Sequence, residues 1–187
     1  MIHRDLKPEN VFFAHVNHPH TGKDHLHVKI GDLGLVASQE DNSKGFAGAP
    51  GYIAPELYQY WDDEGDDYDA RCDIWSVGMI LADMLLPKTF TECDGNSAAF
   101  QSLKDSSSVA ADDDEDEGDA SKTCLRLGAK PVLKGLFEIV QASNCGPDAM
   151  SLLAKLLEID PSKRPSAAPL LNSSEVLGCV KPPINVN

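Results

Sequence analysis

Positive charge is in short supply in this chain: Lys and Arg number 16 against 30 Asp and Glu, leaving a formal net charge of −14. The deficit is local. Asp112 to Asp119 carries seven acids and no base, and Asp62 to Asp69 carries six acids and no base, so the two runs account for nearly all of it. The remainder is close to neutral, which argues against a basic face that would hold nucleic acid. Paired cysteines are absent too. Cys72, Cys93, Cys124, Cys145 and Cys179 are widely spaced, with no C-x-x-C pair. This argues against a zinc knuckle and a secreted disulfide framework, and for a reducing compartment, the cytoplasm or the nucleus. Long apolar runs are missing as well: Trp75 to Leu86 is the longest and contains Asp83, far below the roughly 20 residues needed to span a bilayer. The chain opens on charged residues rather than an apolar h-region, so neither a signal peptide nor a membrane partner is expected.

What is present suits one domain: 187 residues, 42% of them hydrophobic, enough for a real core. Val11-Phe12-Phe13 and His27-Val28-Lys29-Ile30 read as short strands, joined by a long polar loop from Ala14 to Leu26. From Leu35 to Ala49 no periodicity is sustained. After Asp73, the residues Ile74, Val77, Met79, Ile80, Leu81, Met84 and Leu85 predict a helix apolar on most faces, and therefore buried, that Pro87 stops. Residues 104–122 collapse to Ser, Ala, Asp, Glu and Gly, a composition that cannot bury enough apolar surface to offset chain ordering, and read as a disordered acidic insertion. A second helix is expected to start at Gly146-Pro147 and run on Met150, Leu152, Leu153, Leu156 and Leu157 until Pro161. Residues 179–187 read as a flexible tail.

Five segments carry the chemistry: His3-Arg4-Asp5-Leu6-Lys7-Pro8-Glu9-Asn10, Gly31-Asp32-Leu33-Gly34, Gly48 to Glu56 ending in Ala54-Pro55-Glu56, Asp73-Ile74-Trp75-Ser76-Val77-Gly78, and Asp160 to Pro165 containing Arg164. Each has a plain reading alone, Asp73 as a helix N-cap or Asp32-Leu33-Gly34 as a turn. Their ordered set does not. It resembles the C-terminal lobe of the eukaryotic-type serine/threonine protein kinase family, entered at the catalytic loop. The resemblance implies an α+β, mainly α-helical fold over residues 1–178, a protein-kinase-like C-lobe with a small β-hairpin beside the catalytic loop and the N-lobe absent. It also implies phosphoryl transfer from ATP, with Mg2+, to Ser/Thr hydroxyls of a protein substrate.

On that resemblance Asp5 orients the attacking hydroxyl and accepts its proton, while Asn10 and Asp32 hold magnesium. Lys7 reaches the transferred phosphate, a lysine position that favours Ser/Thr over Tyr substrates. His3 is structural, Asp73 braces the catalytic-loop backbone, and Glu56 pairs with Arg164. Leu33, where the family has phenylalanine, is expected to remain an apolar plug beneath the site. Ala49 stands where Ser/Thr kinases usually have a threonine bonded to the catalytic aspartate and lysine. Arg4 is expected to contact a phosphate on the activation segment, with Ser38 and Ser43 as the modification sites.

A complete kinase also needs a glycine-rich loop, a strand lysine and a helix glutamate, and none can be found among the 187 residues. The sequence therefore predicts a kinase fragment that is weak or inactive alone, with apolar surface exposed where a preceding helix would pack. The competing reading is a non-catalytic kinase-like scaffold that docks partners through the substrate groove, or a basic partner through the acidic insertion. His15, His18, His20, His25 and His27 crowd the inter-strand loop; a solvated loop accounts for them better than a metal site.

Overall fold

A computed structural model describes residues 1–17, 24–38, 45, 47–57, 68–86, 129–142 and 145–173. The acidic insertion at 104–122, most of the Asp62–Asp69 run, Ser43 and the tail at 179–187 lie outside these residues. Two strands, β1 (Val11–Asn17) and β2 (Asp24–Ile30), form an antiparallel ribbon with Val11 opposite Ile30 and Asn17 opposite Asp24. Among the described residues four α-helices follow: α1 (Arg71–Leu85), α2 (Ala129–Ala142), α3 (Pro147–Leu156) and α4 (Ala167–Leu171). The fold class is thus α+β and mainly helical, and no helix among the described residues is long and apolar enough to cross a membrane.

Both strands run longer than their apolar stretches predict, because a hairpin ladder satisfies backbone groups whatever the side chains are. Residues Ala14 to Asn17 and Asp24 to Leu26, expected to lie in the loop, pair instead. A two-stranded ribbon has little stability of its own. It is fixed at its open end, where the Gly31 amide donates to the Asn10 carbonyl at 3.0 Å. Phe12, Phe13, Val28 and Ile30 remain exposed on it.

Helix α1 is the centre of the core. It buries Cys72, Ile74, Trp75, Met79 and Ala82, while Val77 and Met84 stay exposed, so its burial is less complete than its composition predicts. It begins two residues before Asp73, with the Arg71 amide held by the Asp69 carboxylate at 2.8 Å. At its other end Leu86 is extended (φ −66°, ψ 149°), the conformation imposed on a residue that precedes proline. Helix α3 starts as predicted, with Gly146 as N-cap and Pro147 in the first turn. It crosses α1 at Gly78, where a Cβ would lie 2.7 Å from Leu157 and 2.9 Å from Leu156. Only glycine allows so close an approach.

Helix α3 stops at Leu156, short of Pro161, because a tight turn intervenes. There the Asp160 carbonyl accepts from the Lys163 and Arg164 amides at 3.0 and 3.1 Å. Helices α2 and α4 were not predicted. The signal for α2 was present as Leu133, Leu136 and Val140, an i, i+3, i+7 stripe that lies buried against α1 and α3. Ile2 joins the same core, fully buried, through paired amide bonds of 2.9 Å in each direction with Ala37. Burial of such a side chain contributes about 1.5–3 kcal/mol, which anchors the chain immediately before His3.

Candidate functional site

The loop from His3 to Asn10 is shaped by a single carboxylate. Asp73, in the first turn of α1 rather than at its cap, accepts the His3 amide at 2.8 Å through Oδ2 and the Arg4 amide at 2.9 Å through Oδ1. Two charge-assisted bonds to consecutive amides fix the local backbone, and Arg4 is held at φ 70°, a left-handed conformation uncommon outside glycine. The His3 ring completes the frame: Nδ1 accepts the Asp5 amide at 3.3 Å, and Nε2 donates to the Gly31 carbonyl at 3.0 Å. That pattern assigns the neutral tautomer with its proton on Nε2.

Asp5 is thereby placed in a buried position, 8% exposed, with Lys7 and Asn10 around it. Lys7 Nζ lies 2.9 Å from Asp5 Oδ2, and Asn10 Nδ2 donates to the Asp5 carbonyl at 2.7 Å and to Oδ2 at 3.2 Å. The hydrogen bond that Lys7 donates to Asp5 raises the Lys7 pKa, and the negative charges of Asp5, Glu9 and Asp32 add to it against the effect of burial. Lys7 is therefore firmly cationic. Among the described residues Oδ1 of Asp5 has no hydrogen-bond partner, and neither has Oδ1 of Asn10.

Asp32 follows the end of β2 with φ 57°, and its Oδ1 accepts the Gly34 amide at 3.3 Å. The Asn10–Gly31 backbone bond brings the loop carrying Asn10 beside the strand end that leads into Asp32. Together they offer an amide oxygen and a carboxylate oxygen, hard donors that fit magnesium held in part by substrate phosphates and water. No group of three or more His, Cys, Asp or Glu suited to a metal occurs among the described residues. Of the five loop histidines only the side chain of His27 is described, and it is exposed. Leu33 departs from expectation: it is 64% exposed and plugs nothing, since an apolar side chain is buried only where apolar neighbours surround it.

On the far side of α1, Glu56 and Arg164 form a bidentate pair, with Nη1 to Oε1 at 2.6 Å and Nη2 to Oε2 at 3.0 Å. Arg164 also donates to the carbonyls of Arg71 at 2.9 Å, Glu158 at 2.8 Å and Ile159 at 3.4 Å, and its guanidinium lies 5.2 Å from the Trp75 ring centroid. Every N–H of the guanidinium is used. Between this pair and the catalytic loop runs the segment from Gly48 to Leu57. Gly48 takes φ 123° and passes so close to the loop that a Cβ there would meet the Arg4 carbonyl at 2.6 Å. Ala49 packs against the core.

Tyr52 and Ser76 lie within motif segments but had no role assigned to their side chains, and Asp83 lies outside those segments. Ser76 Oγ donates to the Tyr52 carbonyl at 2.7 Å and the Tyr52 hydroxyl donates to Asp83 at 2.9 Å, which ties the 48–57 segment to α1. Arg4 donates through Nε to the Leu35 carbonyl at 2.6 Å. Ser38 is exposed, just after the Ile2–Ala37 bridge.

The protein kinase domain family matches residues 1–174. Among curated relatives, mitogen-activated protein kinase hog1 of Blastobotrys adeninivorans is 30% identical over 171 residues, covering 91% of this chain and 40% of the relative. The corresponding kinase HOG1 of Debaryomyces hansenii is 31% identical over 176 residues, covering 92% and 42%. Serine/threonine-protein kinase ULK3 of Xenopus laevis is 31% identical over 164 residues, covering 87% and 26%. A crystal structure of a kinase domain aligns with a TM-score of 0.50 at 21% identity, covering 94% of this chain and 59% of that one. The chain thus spans well under half the length of these curated relatives. With a family match across nearly its whole length and the same fold in a solved kinase domain, the chain belongs to the protein kinase family.

Proposed function

We propose that these residues form the catalytic-loop half of an ATP-dependent serine/threonine protein kinase. The observation that carries this reading is the Asp5–Lys7–Asn10 cluster, a buried carboxylate with one oxygen engaged by Lys7 and Asn10 and the other without a partner among the described residues. Asp5 Oδ1 would receive the hydroxyl of a protein Ser or Thr, orient it and take its proton as the bond to phosphorus forms. A carboxylate suits that role because the loose transition state demands positioning more than strong deprotonation. Lys7 keeps a positive charge beside the transferred phosphoryl group, and Asn10 and Asp32 would hold magnesium. When bound with ATP, that ion supplies neutralisation of the phosphate oxygens. The neutral His3 fixes the Asp5 backbone, and Asp73 fixes His3 and Arg4.

The glycine-rich loop and strand lysine that close over a nucleotide in this family are not among the 187 residues, so these residues hold one side of the nucleotide and turn over only marginally by themselves. Ala49 favours a second reading, a non-catalytic scaffold, because it provides no hydroxyl between Asp5 and Lys7. Phosphate incorporation from labelled ATP into a generic Ser/Thr protein substrate separates the two. Slow incorporation abolished by Asp5→Asn and by Asp32→Asn supports the kinase; incorporation unaffected by either substitution removes these residues from the chemistry. Binding of partners with no incorporation at all selects the scaffold.

A further inference from the structure

Tyr68 sits at the end of an acidic run whose composition marks it as solvated, yet it is 4% exposed and belongs to the main core. Its hydroxyl accepts from Arg4 Nη1 at 3.3 Å and donates to the Gly45 carbonyl at 2.8 Å. A phenol has one proton and two lone pairs, so both bonds form without competition. Arg4 is at the same time fixed by its amide on Asp73 and by Nε on Leu35. The residue after it is Asp5. A continuous path therefore runs from the Gly45 backbone through the Tyr68 hydroxyl and the Arg4 side chain to the backbone that sets the Asp5 carboxylate.

We propose that Tyr68 is a positioning residue, whose hydroxyl holds the activation segment at Gly45 onto Arg4 and so steadies Asp5. The tie needs no phosphate. It connects a neutral phenol to a main-chain carbonyl, and it therefore operates whatever modification the segment carries. Its catalytic consequence rests on the kinase reading, whereas the tie itself does not.

Tyr68→Phe removes the hydroxyl and keeps the ring that packs in the core. Hydrogen–deuterium exchange on the full chain should then show peptides covering residues 45–49 and 3–6 exchanging about three- to tenfold faster, the factor that one hydrogen bond of ordinary net strength contributes. Peptides within α1 should exchange as before. Unchanged exchange at 45–49 would overturn the tie. Faster exchange at 45–49 with 3–6 unchanged would overturn the positioning role, and acceleration spread evenly through α1 would reduce Tyr68 to a packing residue. In a phosphoryl-transfer assay the same variant should lose about three- to tenfold in kcat at constant KM for the protein substrate, again by the worth of one bond; a raised KM at constant kcat would place Tyr68 in substrate binding instead. Transfer absent from both proteins would count against the kinase reading, and the exchange difference would still decide the tie.

Discussion

Removing Arg164 should unfold this domain more readily than any surface change, and the cost follows from what the guanidinium holds. Its side chain is fully buried and Glu56 is 11% exposed. Arg164→Ala therefore strands a nearly dry carboxylate, frees three carbonyls that the guanidinium had satisfied, and empties the space over Trp75. Breaking a buried pair by deleting one partner costs about 3–5 kcal/mol, because the remaining charge has no compensation. For a domain of this size each kcal/mol moves Tm by about 2–4 °C, so the midpoint should fall by roughly 6–20 °C. Against a total stability of about 5–15 kcal/mol, that loss leaves a marginal protein. Thermal and urea unfolding followed by circular dichroism measure it directly. Glu56→Gln, Arg164→Met and the double variant complete a cycle in which the double variant should be less destabilised than the sum of the singles. Additivity within about 0.5 kcal/mol would refute the argument, since it would mean that the two side chains do not depend on each other in the fold.

Asp73→Ala should leave α1 helical while releasing the His3 and Arg4 amides. A single charge-assisted bond is worth about 1.5–3 kcal/mol, so amide exchange at residues 3 and 4 should accelerate at least tenfold, and protection there equal to wild type would discount the brace. Burial, reinforced by the charges of Asp73 and Glu56, pushes the Cys72 thiol far above its ordinary value, with Arg164 opposing. A thiol raised in the folded state contributes stability below its unfolded pKa, near 8.5, and that contribution is lost as pH climbs toward the folded value. The unfolding midpoint should thus decline above about pH 8.5, and iodoacetamide should modify Cys72 only in denaturant. Rapid labelling of the folded protein at Cys72, read by peptide mass spectrometry, would contradict the burial.

The site was far more legible than the fold around it. Asp5, Lys7 and Asn10 lie within one short loop, so their spacing alone brings them near one another, whereas Glu56 and Arg164 are 108 residues apart and only the ordered motifs linked them. Tyr68 left no trace, because its burial is decided by a core assembled from distant segments and its neighbours in sequence are acids. Asp73 shows what the ordered motifs add: alone, an aspartate before an apolar run reads as a cap, whereas the resemblance made it the brace of the catalytic loop, and the His3 and Arg4 amides bond to it while the contact at the helix start belongs to Asp69. Leu33 erred the other way, since its apolar character predicts burial and its surroundings do not provide it. Helix α2 is hard to read from the sequence although it carries an apolar stripe, because Pro131 and Gly135 interrupt the segment with residues that signal turns.

Helix α1 has a consequence for how the gene can change. Within fewer than two turns, Arg71 receives Arg164, Asp73 holds His3 and Arg4, Trp75 faces the guanidinium and Ser76 holds Tyr52. The fasteners for the catalytic loop, the 48–57 segment and the Asp160 turn are thus concentrated on one rigid piece of backbone. Arg71 to Ser76 therefore tolerates neither insertion nor deletion: one residue gained or lost would turn the side chains beyond it by about 100° around the helix axis and take several of these supports apart together.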